Sequence, residues 1–168
     1  MGRAIVSLGS NLGDRKDMLK QALERISFSN KILSISEIYE TYPRAGDGRD
    51  PYLNCCIELE TDMNSFQLMQ FLKETERQLT DTQDNERFNY SSIDCDLIAF
   101  ELEVIMTPQL TLPHPDAYSR AFVMIPLSEI KPDWNHPILN KNAKDLAHDV
   151  YWPGWGTFFA HGKTLLDF

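Results

Sequence analysis

The chain has 168 residues, 42% hydrophobic and 24% charged, which is typical of one soluble globular domain with an ordinary buried core. Its formal net charge of −9 argues against binding to nucleic acid or to an anionic membrane, because both need clustered Lys and Arg. No apolar run approaches the roughly 20 residues that a membrane span needs, which excludes a transmembrane helix.

The N-terminus and the cysteines predict a cytoplasmic protein. The first residues run directly into a strand pattern and lack the layout of a signal peptide. Cys55, Cys56 and Cys95 are odd in number, and each lies inside an apolar strand pattern. Buried reduced thiols are the simplest interpretation, and they are typical of a reducing compartment.

In chain order, the first half alternates strands with a helix. Residues 3–8 predict a strand that closes at Gly9, and a helix pattern begins at about Asp14. Alternation predicts a second strand over residues 32–40. A long loop with two Gly and two Pro follows over residues 41–51, and residues 52–60 predict a third strand.

The second half begins with a capped helix. Asn64, with Gln67 three residues later, has the pattern of a capping box, and Leu68 and Leu72 share one face of the helix. A polar loop is predicted next, before a fourth strand. In order, the predictions are a loop at 81–92, a strand at 93–100, an edge strand at 103–106, an irregular stretch at 108–119, helices at 120–130 and 145–150, and an aromatic tail at 151–168.

This order of elements predicts the fold class. Strand, helix, strand, strand, helix, strand is the split β-α-β arrangement of an α+β, ferredoxin-like core. Such a core has a mainly antiparallel sheet, and both helices pack on one of its faces. We find no repeat, low-complexity segment or internal linker, so a single domain over residues 1–168 is expected.

The fourth strand carries two acids. Residues two apart in a strand point to the same face, with Cα atoms roughly 6.5–7 Å apart, so Asp94 and Asp96 are expected side by side. Adjacent carboxylates among apolar residues repel each other unless a cation lies between them. A pair of Mg²⁺ ions would suit them and would suit phosphate chemistry. The alternative is a solvated strand end with two exposed acids.

Six short segments recur in the order and at the spacing of one enzyme family. They are SLGSNL at 7–12, YET at 39–41, DPYLN at 50–54, IDCDL at 93–97, LTLPH at 110–114 and RAFVMIPL at 120–127. Each is weak alone, but six in register are not expected by chance. On these segments the chain resembles the 6-hydroxymethyl-7,8-dihydropterin pyrophosphokinase family (HPPK) over residues 3–135. The tail at 151–168 has no counterpart in the family and is left unassigned.

The resemblance implies an enzyme of folate biosynthesis. The family transfers the β,γ-pyrophosphoryl group of ATP to the hydroxymethyl oxygen of 6-hydroxymethyl-7,8-dihydropterin and releases AMP. The resemblance therefore implies a pterin and ATP as small-molecule partners, with ATP as the co-substrate. It also implies two Mg²⁺ ions on Asp94 and Asp96, and a monomer.

The resemblance further implies a role for each matching residue. The pterin ring is expected between the rings of Tyr52 and Phe122, with the Asn54 side chain on its polar edge. Without the family pattern, these aromatic residues would be interpreted as core. The implied catalytic residues are Asp94, Asp96, His114 and Arg120; the implied pterin-binding residues are Thr41, Pro43, Tyr52, Asn54 and Phe122; and the implied ATP-binding residues are Glu76, Phe88, Thr111, His114 and Arg120.

The chain departs from the family at its cationic positions. An aromatic-Gly-Pro-Arg run is usual before the paired aspartates, and here it is Phe88-Asn89-Tyr90-Ser91. Arg87 is the sole Lys or Arg between residues 78 and 119. Arg44 and Arg49 of the first long loop are candidates to supply replacement charge. Two alternatives stay open: a divergent paralogue that binds a pterin without pyrophosphoryl transfer, and a related kinase with another donor or pterin.

Overall fold

The protein forms a six-stranded antiparallel sheet with helices on both faces, together with a separate two-stranded sheet, as seen in a computed structural model that describes residues 1–43, 48–80 and 92–167. The elements in chain order are β1 (Gly2–Ser10), α1 (Arg15–Ser29), β2 (Lys31–Ile35), β3 (Ile38–Thr41), β4 (Tyr52–Thr61), α2 (Ser65–Leu79), β5 (Asp94–Phe100), β6 (Ile105–Met106), β7 (Thr111–Leu112), α3 (Ala121–Ile130), α4 (Ala143–Val150) and β8 (Thr157–Ala160). Of the predicted functional residues, Arg44 and Phe88 lie outside the described residues.

The sheet order matches the predicted fold class. The strands run β5-β1-β4-β3-β8, β2 pairs with β4 as well, and every strand pair is antiparallel. If β2 and β3 count as one strand, the core order is that of a ferredoxin-like fold. The prediction of an α+β fold with a mainly antiparallel sheet is confirmed.

The prediction of a single strand over residues 32–40 is wrong, because this segment contains two strands, β2 and β3. β2 ends at Ile35 and β3 begins at Ile38. Between them, the Ser36 hydroxyl accepts the backbone N–H of Cys56 at 2.9 Å, where a regular ladder would use a backbone carbonyl. The side chain therefore interrupts the ladder, and β2 and β3 pair with different parts of β4.

The helices α1 and α2 cover one face of the sheet, as predicted. Leu19 and Leu23 of α1 and Leu68 and Leu72 of α2 are fully buried against β1, β4 and β5. Burial of a leucine side chain contributes roughly 1.5–3 kcal/mol. The Asn64 capping box is present, with both of its hydrogen bonds to Gln67 at 2.9 Å.

The helices α3 and α4 cover the other face and form a second core with Ile5 of β1 and Ile98 of β5. The predicted helices at 120–130 and 145–150 are therefore present, although α4 begins earlier, after an Asn142 cap. Pro126 lies at the sixth position of α3, where it has no N–H for the Phe122 carbonyl.

Two short segments differ from their predictions. The edge strand predicted at 103–106 is only Ile105–Met106, and it pairs with β7 rather than with the main sheet. The stretch predicted as irregular at 108–119 contains β7 and a 3₁₀ turn over Ala117–Ser119. Two-residue ladders carry too few side chains for alternation to reveal them.

The aromatic tail contains a strand that sequence periodicity did not predict. β8 pairs with β3 and forms one end of the sheet order, and a 3₁₀ turn over Gly162–Leu166 follows it. Thr157, Phe158 and Phe159 are all exposed, so the strand lacks the alternation of buried and exposed side chains by which strands are predicted.

The cysteine prediction is confirmed as far as burial is concerned. Cys55, Cys56 and Cys95 are buried and unpaired. Burial raises the pKa of the Cys55 thiol to about 12, which keeps it protonated and unreactive at neutral pH. Among the described residues, no helix combines the length and the apolar character that crossing a membrane requires.

Candidate active site

The strand β5 carries its two aspartates beside β1 and on one face of the sheet. Asp94 lies opposite Gly9, and Asp96 lies opposite Ser7. Cys95, between them, is buried in the core beneath α1 and α2, so both aspartates point to the face that α3 and α4 cover. Both residues are half-buried. The structure thus brings the two carboxylates to one side of the strand.

A β-bulge ends this polar stretch. The β1–β5 pairing shifts between Ile5 and Val6, whose partners are Ala99 and Leu97, so Ile98 is the extra residue. Ile98 and Ala99 both pack in the core beneath α3 and α4. The strict alternation predicted for this strand is therefore wrong from Ala99 onward. The bulge confines the carboxylates to one end of the strand and makes its other end apolar.

Two residues of α2 approach the same end of β5. Glu76 is 9% exposed, and its Oε1 accepts the backbone N–H of Cys95 at 2.6 Å. The Lys73 ammonium lies 3.1 Å from Glu76 Oε1 and 3.4 Å from Asp96 Oδ1. Lys73 was not among the predicted site residues. Its position one turn before Glu76, on the same side of the helix, is the signal that would have identified it.

Burial and charge shift the pKa values in this cluster. The pKa of Asp94 is raised to about 6, chiefly by burial and then by the charges of Asp96 and Glu76, while the charges of Lys73 and Arg49 oppose the shift. Burial also raises the pKa of Glu76. Burial lowers the pKa of Lys73, but the neighbouring carboxylates outweigh it and raise the pKa overall. The cluster therefore has an excess of negative charge that an added cation would relieve.

Paired carboxylates of this kind fit a hard divalent cation if the substrate supplies further oxygens. Within residues 1–43, 48–80 and 92–167, no three or more His, Cys, Asp or Glu side chains are arranged to hold a metal ion. Mg²⁺ is commonly bound through one or two carboxylates together with substrate phosphates. Asp94 and Asp96 provide that donor set, so the residues present fit the ion.

The strands β3, β4 and β1 bring Thr41, Asn54 and Gly9 together beside the aspartates. The Asn54 amide donates a hydrogen bond to the Thr41 hydroxyl, and both side chains are buried. A Cβ on Gly9 would lie 2.9 Å from Asn54 Oδ1 and 3.7 Å from a ring carbon of Tyr52. Only glycine leaves room for both side chains, so Gly9 forms the floor beneath them.

The Tyr52 ring lies on the same sheet face, next to the first long loop. Its hydroxyl accepts a hydrogen bond from Arg49 Nη1 at 3.2 Å. Arg49 also lowers the pKa of Asp94 by its charge, so it lies within electrostatic reach of the aspartates. The expectation that this arginine contributes charge near the site agrees with its position.

Arg15 of α1 joins the two sides of the same loop. Its Nη2 lies 2.8 Å from Glu40 Oε2, and its Nη1 donates to the Pro51 carbonyl at 2.9 Å. Glu40 precedes the loop and Pro51 ends it, so one guanidinium group holds both ends together. Pro43 is half-buried just inside the loop.

Three predicted residues reach the site from the segment that follows β5. The backbone N–H of His114 donates to the Ile98 carbonyl at 2.8 Å, which ties this segment to β5. Burial lowers the pKa of His114, the charge of Asp96 opposes that shift, and the charge of Arg120 adds to it, so the imidazole lies within electrostatic reach of both side chains. The Arg120 guanidinium also lies over the Phe122 ring, 5.7 Å from its centroid.

Thr111 is less closely tied to this group. It lies in β7, pairs with Met106, and donates its hydroxyl to the Thr107 carbonyl at 3.4 Å. A separate cavity of about 280 Å³ opens at the other end of the strands, between Ile5, Ala99 and Trp134. It shares no lining residue with the predicted site.

Comparisons with known proteins identify one family. The profile of the family described as 7,8-dihydro-6-hydroxymethylpterin-pyrophosphokinase (HPPK) matches residues 5–132. The chain is 36% identical over 129 residues to the 2-amino-4-hydroxy-6-hydroxymethyldihydropteridine pyrophosphokinase of Bacillus subtilis, covering 76% of this chain and 77% of that protein. It is 35% identical over 141 residues to the protein of the same name from Porphyromonas gingivalis, covering 82% of this chain and 95% of that one.

Solved structures share the fold. HPPK-DHPS of Plasmodium falciparum superposes with a TM-score of 0.69 at 14% identity, over 88% of this chain and 44% of that chain. The same protein with SDX-DHP gives a TM-score of 0.65 at 14% identity, over 89% and 43%. This chain therefore spans less than half the length of those proteins, and at such low identity the likeness supports the fold alone.

The chain belongs to the 7,8-dihydro-6-hydroxymethylpterin-pyrophosphokinase family. The predicted family is confirmed, and with it the predicted class of enzyme, a pyrophosphokinase of folate biosynthesis.

Proposed function

We propose that this chain transfers the β,γ-pyrophosphoryl group of ATP to the hydroxymethyl oxygen of 6-hydroxymethyl-7,8-dihydropterin and releases AMP. The observation that carries the proposal is the carboxylate pair Asp94 and Asp96 on one sheet face, one strand away from Gly9 and two from Asn54. A charged end for phosphates and a polar, aromatic end for a flat heterocycle therefore lie side by side.

The heterocycle end would bind the pterin through hydrogen bonds and stacking. Asn54 has both a donor and an acceptor in its side chain, and its amide is already oriented by Thr41. The Asn54 Oδ1 atom is directed over Gly9, toward the space beside Tyr52. Phe122 on α3 would cover the opposite face of the ring. Offset stacking on such rings contributes about 0.5–1.5 kcal/mol beyond area burial.

The phosphate end would hold Mg²⁺ on Asp94 and Asp96. When bound, two such ions would neutralise phosphate charge and polarise the transferred group. The protein's own contribution is to hold both carboxylates on one sheet face and in a fixed orientation. Glu76 fixes the backbone of β5 through Cys95, and Lys73 restrains Asp96.

Three cationic side chains would contact the phosphates of ATP. Arg49 lowers the pKa of Asp94 by its charge, and Lys73 forms an ion pair with Asp96. Arg120 acts one residue further out, on the imidazole of His114, which also feels the charge of Asp96. Charge-assisted hydrogen bonds contribute about 1.5–3 kcal/mol each. These three residues would therefore offset part of the arginine loss between residues 78 and 119.

His114 would act beside Arg120 as a neutral group. Burial lowers its pKa, so at neutral pH the imidazole is uncharged and offers one donor and one acceptor. A neutral imidazole beside Asp96 suits a hydrogen bond to a phosphate oxygen without adding a proton to the carboxylates. Thr111 and Phe88 complete the proposed set of ATP-binding residues.

We further propose that residues 1–168 act as one monomeric domain in the cytoplasm. The pairing of β8 with β3 supports a single domain, because the tail is part of the same sheet. Three unpaired cysteines support a reducing compartment. The net charge of −9 supports the absence of nucleic-acid and anionic-membrane partners.

One observation favours a second candidate function. Arg87 is the sole Lys or Arg between residues 78 and 119, where the family usually carries several arginines. A chain with too little positive charge for ATP would still bind a pterin through Asn54, Tyr52 and Phe122. In that case, pterin binding would not be strengthened by ATP and Mg²⁺.

The deciding experiment measures AMP formation from ATP, Mg²⁺ and 6-hydroxymethyl-7,8-dihydropterin. The wild-type chain should form AMP only when the pterin is present. Asp96→Ala should abolish transfer without lowering Tm, whereas Asp62→Ala, an exposed acid outside the site, should behave as wild type. No AMP from the wild type at millimolar ATP and Mg²⁺ would refute the enzyme, and calorimetry with the pterin would then test the second candidate.

A further inference from the structure

The C-terminal tail lies directly against the strand that carries Thr41. In the antiparallel pairing, Glu40 is opposite Thr157 and Tyr39 is opposite Phe158. The family profile matches residues 5–132, so this segment lies outside the residues that the profile matches. The tail therefore adjoins the proposed pterin site on the side of β3 away from β4.

Gly156 makes a close contact with Thr41 itself. A Cβ on Gly156 would lie 3.1 Å from Thr41 Cγ2 and 3.1 Å from the Glu40 carbonyl oxygen. That spacing is tighter than ordinary van der Waals contact, so a methyl group there would press on Thr41, and the glycine backbone already closes off the space behind it. The Thr41 side chain is consequently held between Gly156 and the Asn54 amide.

Trp155 makes the second contact, through Tyr39. The two rings are 4.8 Å apart at 54°, a favourable tilted arrangement. Tyr39 lies opposite Asn54 in the sheet, and its hydroxyl donates to the Glu129 carboxylate on α3. Trp155 therefore packs against Tyr39, and Tyr39 connects β3 to α3, the helix that carries Phe122.

The far end of the tail is firmly attached, so these contacts have a rigid support. Leu165 is fully buried in the core beneath α1, and Gly162 packs against the Ser36 carbonyl with no room for a side chain. His161 Nδ1 lies 2.7 Å from Glu37 Oε2. The segment between these anchors and α4 is thus held at both ends.

We propose that Trp155 and Gly156 are positioning residues for the pterin slot, which set the affinity for the fused heterocycle by fixing Thr41 and Tyr39. The inference rests on the proposed function, because it takes Thr41 and Asn54 as pterin-binding residues. Trp155 and Gly156 do not touch the substrate. They keep the Thr41 hydroxyl available to Asn54, which leaves the amide oriented before the pterin arrives.

The test compares binding of two probes to three variants and a control. The probes are 6-hydroxymethylpterin and a non-hydrolysable ATP analogue with Mg²⁺, titrated separately by calorimetry. Gly156→Ala adds one methyl group against Thr41, Trp155→Ala removes the support of Tyr39, and Trp155→Phe keeps an aromatic ring there. Thr157→Ala is the matched control, since Thr157 is exposed in the same strand. Thermal unfolding is recorded for every variant.

Gly156→Ala and Trp155→Ala should weaken pterin binding by about three- to tenfold, the loss expected when one hydrogen bond is misaligned. Trp155→Phe should restore most of the affinity. Binding of the ATP analogue should stay within twofold of wild type, and Thr157→Ala should match wild type for both probes. If the tail had a purely structural role, pterin binding and ATP-analogue binding would not differ in this way.

Two results would overturn the inference while the proposed function stands. One is pterin affinity in Gly156→Ala and Trp155→Ala equal to that of wild type. The other is a parallel fall of pterin affinity, ATP-analogue affinity and Tm, which would reduce the tail to a stabilising element. Failure of the wild-type chain to bind the pterin would instead refute the proposed function, and the inference would fall with it.

Discussion

Replacement of Asp94 by asparagine should stabilise the metal-free protein at neutral pH. Asp94 is held among Asp96 and Glu76 and is partly removed from water, so its charged form is disfavoured in the folded state. Its pKa rises from the ordinary 3.8 to about 6. Since one pKa unit corresponds to about 1.36 kcal/mol, ionisation of Asp94 costs the folded state up to about 3 kcal/mol. Asp94→Asn keeps the shape and removes that charge.

The sign of the pH dependence follows from the direction of this shift. Below the ordinary pKa the carboxyl group is protonated in both the folded and the unfolded states, and the penalty is absent. As pH rises through the folded pKa of about 6, the folded protein must carry the charge, and the stability is lost. Solvent at the half-exposed site reduces the penalty, so the expected gain from Asp94→Asn at about pH 7.5 is about 1–2 kcal/mol.

The assay is urea unfolding followed by tryptophan fluorescence in EDTA, at about pH 7.5 and about pH 4.5. The protein must be kept dilute at the lower pH, which is close to the isoelectric point of 4.8. Asp62→Asn is the matched control, because it removes an exposed acid outside the site and should give no comparable gain. No stabilisation by Asp94→Asn at the higher pH, or an equal stabilisation at both pH values, would show that the folded protein does not disfavour the charged form of Asp94.

Three further predictions concern the heterocycle end and the fold. Asn54→Ala should weaken pterin binding by about tenfold and leave ATP-analogue binding unchanged, because it removes the amide donor and acceptor proposed to meet the pterin ring. The reverse pattern in calorimetry would mean that the pterin and phosphate ends of the site have been exchanged. Gly9→Ala should also weaken pterin binding, since its methyl group would lie 2.9 Å from Asn54 Oδ1. The loss of affinity caused by Gly9→Ala should be smaller in an Asn54→Ala background, and equal losses in both backgrounds would contradict that contact. Asn64→Ala should lower the free energy of unfolding by about 1 kcal/mol through loss of the capping box, with AMP formation unchanged; urea unfolding would contradict this if the midpoint did not move.

Local signals predict most of this fold because they depend on neighbours along the chain. The capping box at Asn64 and the apolar face of Leu68 and Leu72 are visible in the sequence and present in the structure. The pairing of Asp94 with Asp96 on one face follows from the period of a strand. These features need no knowledge of distant residues.

The features that sequence reasoning missed depend on distant residues. The interruption at Ser36 arises from Cys56 across the sheet, and the bulge at Ile98 arises from pairing with β1. β8 is a strand because β3 offers it an edge, although its own side chains are exposed. Lys73 belongs to the site only because α2 crosses the end of β5. The loss of arginines after residue 78 was visible in the sequence, but the positions of the remaining cations were not.

The way in which Arg15 joins Glu40 to Pro51 has a consequence for protein engineering. A loop whose two ends, here Glu40 and Pro51, are joined by one side chain can change in length without disturbing the strands on either side. Doubling the number of residues between these ends would raise the entropic cost of closing the loop by only about 0.6 kcal/mol. Arg15→Ala would remove that independence, so insertions that the wild-type chain tolerates should then spread strain into the sheet. This one guanidinium group makes the segment a suitable place to graft loops of other lengths.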